Sequence, residues 1–258
     1  YTLSCTNYYT VLFSSTSQGA DSLVWDFGDG TLDTMNNINT SHTYPSRGPY
    51  TVSLTAYNYA TGCDNAITAT FTIAEPIASY SMANTSGCYP FTANFTSTSQ
   101  DASTFLWNFG DPSTLLDTSI ISSPSYIYNL PAAYSVTFII TDVNGCRDTL
   151  IDTTKALGPL PYFSADTLTG CKPFVVTFSD SSYTDSILTQ WTWNFGDGSP
   201  VVTTPVDSVV HVYLLPGIYS VTMTVTDTNG CTKTLVKTNY IQPTYPFPSF
   251  TVDTFACK

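Results

Sequence analysis

Trp25-Asp26-Phe27-Gly28-Asp29-Gly30 decides the reading of this sequence, because the same six-residue pattern occurs three times. It returns as Trp107-Asn108-Phe109-Gly110-Asp111-Pro112 and as Trp193-Asn194-Phe195-Gly196-Asp197-Gly198. Working outward, Tyr44, Tyr128 and Tyr213 each stand six residues before a second tyrosine, at Tyr50, Tyr134 and Tyr219. Each second tyrosine opens an alternating run such as Tyr219-x-Val221-x-Met223-x-Val225, the period-2 signature of a strand with one buried face. A Gly-Cys turn follows at Cys63, Cys146 and Cys231, while Cys5, Cys88, Cys171 and Cys257 recur at intervals of 83, 83 and 86 residues. The chain is an internal repeat of supersecondary size.

Composition agrees. Seven Lys and Arg stand against nineteen Asp and Glu, a formal charge of −12. So few cations cannot neutralise a run of phosphates, which excludes a nucleic-acid binder, and an anionic membrane surface repels such a chain. Hydrophobic residues reach 42% and aromatics 14%, enough for packed cores, while only 10% are charged, against roughly 25% in ordinary domains. Solvation falls to 44 Thr and 29 Ser, a surface suited to pleated strands of a secreted protein. Seven cysteines point to an oxidising compartment. No apolar run reaches the roughly 18 residues a membrane span needs, and no signal peptide opens the sequence. Its two ends fall in one register of the repeat, so it reads as a segment of a longer array.

No stretch carries a 3.6-residue period, and Pro and Gly punctuate the chain closely. The expected organisation is a repeat over 1–75 with its first strand truncated, repeats over 76–158 and 159–243, and the opening strand of a fourth over 244–258. About seven short strands per repeat suit a two-sheet sandwich. The combination of Trp-Asp-Phe-Gly-Asp-Gly, His42-x-Tyr44, Gly48-x-Tyr50-x-Val52-x-Leu54 and the Gly-Cys turn resembles the PKD (polycystic kidney disease) domain, in all three repeats. The cysteine pattern is most similar to PKD arrays on Bacteroidota surfaces. The resemblance implies an all-β fold of tandem Ig-like β-sandwich domains in an extended rod. Repeat 2 departs at Asn108 and Pro112, and carries Tyr126 where the others have His42 and His211.

Each motif residue has a structural and a functional reading. Trp25, Trp107 and Trp193 are expected as buried central-strand tryptophans rather than sugar-stacking platforms, with Phe27, Phe109 and Phe195 on the same face two residues later. Gly28, Gly110 and Gly196 read as tight-turn glycines, with Asp29, Asp111 and Asp197 bonding nearby backbone N–H groups. The family resemblance raises calcium at these aspartates. One or two carboxylates per loop is thin for an ion that takes six to eight oxygens, so no metal or other cofactor is the preferred reading. A histidine replaced by tyrosine in a sister repeat is not a catalytic base, and no nucleophile, zinc or phosphate motif occurs. The expectation is no enzyme.

The cysteines leave three pairings open. One bridge per repeat (Cys5–Cys63, Cys88–Cys146, Cys171–Cys231) conflicts with strand direction. In a sandwich, Cys88, placed in the loop before the second strand, and Cys146 lie a strand apart, about 25 Å, whereas a disulfide needs Cα atoms about 5.5 Å apart. Staples between consecutive repeats, Cys5–Cys146 and Cys88–Cys231, satisfy that geometry and are preferred. The remaining alternative, Cys63–Cys88, Cys146–Cys171 and Cys231–Cys257, requires each opening strand to fold back on the preceding repeat.

Asp-Ser/Thr-apolar tripeptides, which Bacteroidota O-glycosylate on exported proteins, place candidate glycans on Ser22, Thr34, Thr149, Thr167, Ser186 and Ser208, and Asn39, Asn84 and Asn94 begin N-x-S/T sequons. The expected function is a structural spacer in a large extracellular or cell-surface adhesin or fibre protein, the resemblance extending to gliding-type adhesins of the type IX secretion route. Neighbouring repeats of the same chain are the expected partners, with surface glycans or other surface proteins beyond them. The rival is a polysaccharide- or protein-binding accessory module of a secreted hydrolase. Tyr8, Tyr9, Tyr57, Tyr59, Tyr183 and Tyr245 are its candidate contacts, but they do not recur at matching positions.

Overall fold

The computed structural model describes residues 1–246 and 248–252, and every regular element there is a strand. In the first repeat these are β1 (Thr2–Leu3), β2 (Thr10–Ser14), β3 (Ser22–Asp26), β4 (Leu32–Asp33), β5 (Asn39–Thr43), β6 (Gly48–Asn58) and β7 (Cys63–Ile73). They form one sheet in the order β1-β2-β5 and a second in the order β4-β3-β6-β7. Alternation in β2 and β3 turns Val11, Phe13, Leu23 and Trp25 inward, where they meet Val52, Leu54 and Phe71 between the sheets. Each such valine, leucine or phenylalanine contributes about 1.5–3 kcal/mol by leaving water.

The second repeat carries β8 (Tyr80–Met82), β9 (Ser86–Cys88), β10 (Phe91–Ser97), β11 (Thr104–Asn108), β12 (Thr118–Ser119), β13 (Ser125–Tyr128), β14 (Ala132–Thr141) and β15 (Arg147–Leu157). The third repeats them as β16 (Phe163–Ala165), β17 (Thr169–Cys171), β18 (Phe174–Asp180), β19 (Leu188–Asn194), β20 (Val202–Thr204), β21 (Ser208–Tyr213), β22 (Tyr219–Asp227) and β23 (Thr232–Thr244). Sheet orders correspond: β13-β10-β8 with β12-β11-β14-β15-β9, and β16-β18-β21 with β17-β23-β22-β19-β20. Packing divides the chain into two compact units. The first holds residues 1–85, 93–126 and 134–154; the second holds 86–92, 127–133 and the described residues from 155 onward.

Two details differ from the sequence reading. The opening segment of a full repeat is two strands rather than one: β16 pairs antiparallel with β18, and β17 then crosses to the other sheet and pairs parallel with β23. Cys88 and Cys171 therefore end a strand and do not sit in a loop, because the chain changes sheets a few residues before them. Cys171 pairs with Thr244 at the end of β23.

Candidate functional site

The Gly-Asp loop and the tyrosine that follows it form one constellation, built three times. Gly28, Gly110 and Gly196 have φ of 75°, 69° and 76°, and a Cβ on any of them would stand 2.2 Å from the carbonyl oxygen of Thr51, Ser135 or Ser220. Both the dihedral and the close backbone approach demand glycine. Asp26, Asn108 and Asn194 cap the turn by accepting from the glycine N–H at 2.9, 2.8 and 3.0 Å, so Asn108 replaces Asp26 without loss of the bond.

Asp29, Asp111 and Asp197 then do two things. One oxygen accepts from the backbone N–H and hydroxyl two residues on: Thr31 at 3.0 and 2.6 Å, Ser113 at 2.9 and 2.6 Å, Ser199 at 3.1 and 2.6 Å. The other meets His42 Nε2 at 2.7 Å, the Tyr126 hydroxyl at 3.0 Å or His211 Nε2 at 2.8 Å. These rings lie over Phe27, Phe109 and Phe195 with centroids 4.2, 4.5 and 3.9 Å apart. Burial alone would raise these carboxyls, but the hydroxyl, imidazole or phenol, and backbone bonds together hold all three below the usual carboxylate range. Tyr44 and Tyr213 close the loop from beneath, donating to the carbonyls of Phe27 and Phe195 at 3.1 and 3.2 Å.

Sequence reasoning missed the pairing of aspartate with His or Tyr. The signal was present: the residue two before the loop-closing tyrosine is always a ring with a hydrogen to donate. With both oxygens engaged inside the loop, each aspartate is a structural acceptor. Among the described residues no cluster of three or more His, Cys, Asp or Glu forms a metal cradle. Trp107 and Trp193 are fully buried and Trp25 nearly so, and Trp25 and Trp107 donate their indole N–H to the Asn37 and Ile121 carbonyls. Such rings cannot act as stacking platforms for an external sugar.

The second constellation lies where repeats meet. Of the three pairings, the structure joins Cys5 to Cys146 and Cys88 to Cys231, with Cα separations of 5.3 and 5.4 Å. Cys63 and Cys171 are exposed thiols, which rules out Cys5–Cys63, Cys171–Cys231, Cys63–Cys88 and Cys146–Cys171. Cys257 lies outside the described residues, and its suggested partner Cys231 is already bonded to Cys88. Asp142 and Asp227 shape the turns that present Cys146 and Cys231, each accepting from the cysteine N–H, at 2.8 and 2.9 Å.

In the first compact unit, Arg47 stands at the junction of repeats 1 and 2. It contacts Glu75 at 3.0 Å, Asp101 at 3.3 Å and Gln100 at 2.6 Å, while Tyr9 donates to Glu75 at 3.0 Å. Asn144 donates to the Thr72 carbonyl at 2.9 Å beside this network. In the second unit, Lys155, Ala156 and Leu157 pair in parallel with Ser86, Gly87 and Cys88. Tyr89 donates to the Pro159 carbonyl at 2.7 Å, and Lys233 Nζ stands 3.9 Å from its ring centre. Gly158 has φ of 123°, and a Cβ there would come within 3.1 Å of Cys231 and 3.3 Å of Tyr89.

The remaining sequence-predicted residues are dispersed. Thr34, Thr149 and Ser208 are exposed, whereas Ser22, Thr167 and Ser186 are half-buried. Ser186 spends its hydroxyl on Asp227 at 2.8 Å. Tyr57, Tyr59 and Tyr183 are exposed, Tyr57 and Tyr59 lying parallel 6.5 Å apart, but Tyr8, Tyr9 and Tyr245 are half-buried. No two repeats present these rings on equivalent strands.

Repeated Ig-like β-sandwiches, each with a Gly-Asp loop locked by an aromatic or imidazole ring and joined by inter-repeat disulfides, define a tandem array of modules of the extracellular type. The particular family follows from the match of the PKD domain model to residues 4–75, 73–156 and 159–242: the chain belongs to the PKD domain family. Among solved structures, it is similar to the PKD1 domain of Vibrio anguillarum Epp, at 26% identity over 34% of this chain and 96% of that one, with a TM-score of 0.28. The PKD1 domain of the Vibrio cholerae metalloprotease PrtV matches at 28% identity over 31% and 95%, with a TM-score of 0.26. A Bacteroides ovatus glucan-utilisation protein, SGBP-B, solved with a mixed-linkage heptasaccharide, matches at 12% identity over 88% and 60%, with a TM-score of 0.20. PKD domains are non-catalytic accessory modules typical of secreted proteins.

Proposed function

We propose that this chain is a structural spacer within an extracellular adhesin or fibre protein, holding other domains at a fixed separation and orientation. The observation that carries this reading is the pair of disulfides that tie each repeat to its successor, Cys5–Cys146 and Cys88–Cys231. A bridge inside a sandwich stabilises that sandwich. A bridge between sandwiches adds little to either core and instead restricts the hinge. The Arg47 network, the Tyr89–Pro159 hydrogen bond and Lys233 over the Tyr89 ring serve the same end with non-covalent means. Neutral O-linked sugars on the exposed Thr34, Thr149 and Ser208 fit this role by solvating a surface poor in Lys and Arg.

The test compares the oxidised chain with a Cys5→Ser/Cys88→Ser variant by small-angle scattering and by residual dipolar couplings of each repeat. The spacer reading expects one alignment frame for all three repeats when oxidised and independent frames in the variant. Identical behaviour of the two proteins removes the argument for a mechanical role. Retention of the oxidised chain on insoluble polysaccharide would favour the accessory-module reading instead, for which the exposed Tyr57–Tyr59 pair is the first place to look.

A further inference from the structure

The junctions between successive repeats share one plan but are closed differently. Ile77 and Gln100 bond to each other through the backbone at the entry to repeat 2, and Leu160 and Tyr183 do the same at the entry to repeat 3. Counted from these anchors, and from Tyr50 and Tyr134, Arg47 corresponds to Pro131, Glu75 to Gly158 and Gln100 to Tyr183. At the first junction the Arg47 guanidinium fills the crevice, reaching Gln100 at 2.6 Å and Glu75 at 3.0 Å. At the second, proline and glycine stand in place of arginine and glutamate, so the filler and one of its acceptors are both missing.

A cavity of about 280 Å³ lies there, at the small end for ligand sites, lined by Pro131, Ala132, Ala133, Lys155, Tyr183 and Asp185. All six belong to the second compact unit. The cavity is more closed over than the clefts beside Phe13, Asp33 or His211. Lys155 and Asp185 are particular to this junction, since Thr72 and Ala102 hold the corresponding places at the first. Neither has an ion-pair or hydrogen-bond partner for its side chain among the described residues. A cation and a carboxylate thus line one small space without contacting each other, together with a tyrosine that is 67% exposed. Their backbone is fixed in advance: Lys155 pairs with Ser86 across β15 and β9, and Tyr183 is held to Leu160 by bonds of 2.7 and 3.0 Å.

We propose that this cavity binds one uronate residue of an acidic glycan. The sugar carboxylate pairs with Lys155, a C–H face of the pyranose ring packs on Tyr183, and ring hydroxyls donate to Asp185. Pro131, Ala132 and Ala133 supply short apolar walls that leave room for the ring. A neutral sugar would leave Lys155 unused, and a simple anion would leave both the tyrosine and the aspartate unused. The uronate is the ligand class that engages all three.

The distribution of charge permits an acidic ligand here. Among described residues the second unit has six Asp against four Lys, whereas the first has twelve Asp and Glu against two Arg. Most of the negative charge of the chain therefore belongs to the other unit, and salt screens what remains beyond about 8–10 Å. The site goes beyond the spacer role and does not rest on it, because a sugar contact at Tyr183 is the same whether or not the disulfides set the stiffness of the chain.

The experiment titrates the whole oxidised chain with the methyl glycoside of glucuronate, and in parallel with methyl glucoside and with glycine, and follows NMR shifts. Expected are shifts confined to Ala132, Ala133, Lys155, Tyr183 and Asp185, with a Kd on the order of 1 mM for the uronate and binding at least about tenfold weaker for the neutral glucoside. Lys155→Met and Tyr183→Ala each weaken the uronate by about tenfold or more, while Lys155→Arg retains it. Lys155 and Tyr183 are exposed, so the resonances of the three cores stay in place in every variant and report that the fold is intact. The proposal fails if the uronate moves no resonance of the cavity up to about 20 mM, well above the expected Kd. It fails equally if glucoside binds as well as uronate, if glycine matches it and so shows a site for amino-acid zwitterions, or if Tyr183→Ala binds as the parent does.

Discussion

At the scale of the residue, the aspartate that follows the turn glycine holds the loop together, and it does so only as a carboxylate. The folded state keeps Asp29, Asp111 and Asp197 below their usual value of 3.8, the hydroxyl, ring and backbone bonds outweighing the effect of burial. A group depressed on folding contributes stability that is present above its unfolded value and lost as pH falls through the folded one. Unfolding temperature is therefore expected to hold steady on acidification until about pH 4 and then to fall steeply. Asp29→Asn together with Asp197→Asn should flatten that acid limb while lowering the neutral plateau, measurable by calorimetry from pH 7 to pH 2. An acid limb unchanged in the double variant would place the sensitivity elsewhere, for instance at Glu75, which is also depressed, first by Arg47 and then by Tyr9.

At the scale of the element, the opening strand explains both what the sequence disclosed and what it hid. The Trp-x-Phe alternation, the Tyr-led strands and the Gly-Asp turns are local signals, and each appears where the period-2 pattern puts it. The switch of β17 from one sheet to the other leaves no local trace, because a three-residue strand such as Thr169–Cys171 has too few positions to show a period. The pairing of His42 with Asp29 was likewise hidden, since it joins β5 to a loop thirteen residues away and only the swap to Tyr126 hints at it. The inter-repeat cysteines were legible because alternating strand direction fixes which end of a sandwich each one occupies. Phe163 tests the importance of the opening strand: it is fully buried, and Phe163→Ala should cost about 3–5 kcal/mol of the third repeat's stability. Chemical denaturation with the signals of Trp191 and Trp193 would report it. A cost under about 1 kcal/mol would mean that the strand is a cover rather than part of the core.

At the scale of the whole molecule, the two bridges enclose segments that overlap in sequence, Cys5 to Cys146 with a separation of 141 residues and Cys88 to Cys231 with 143. Loops that overlap in this way behave unlike loops placed end to end. Tension applied at the termini enters at Cys5, crosses to Cys146, returns along the chain to Cys88, crosses to Cys231 and leaves, so a central stretch is pulled in the reverse sense. More than half of the backbone lies off this covalent route. A single-molecule pull on the oxidised chain should therefore stop short, and reduction should release further extension on the order of 500 Å, at roughly 3.3–3.6 Å per residue. Equal final lengths with and without reductant would show that the bridges are not intact in solution. On the proposed spacer reading the cysteines act as a strain limiter: a sandwich that gives way under load surrenders little length and stays close enough to its neighbours to refold when the load passes.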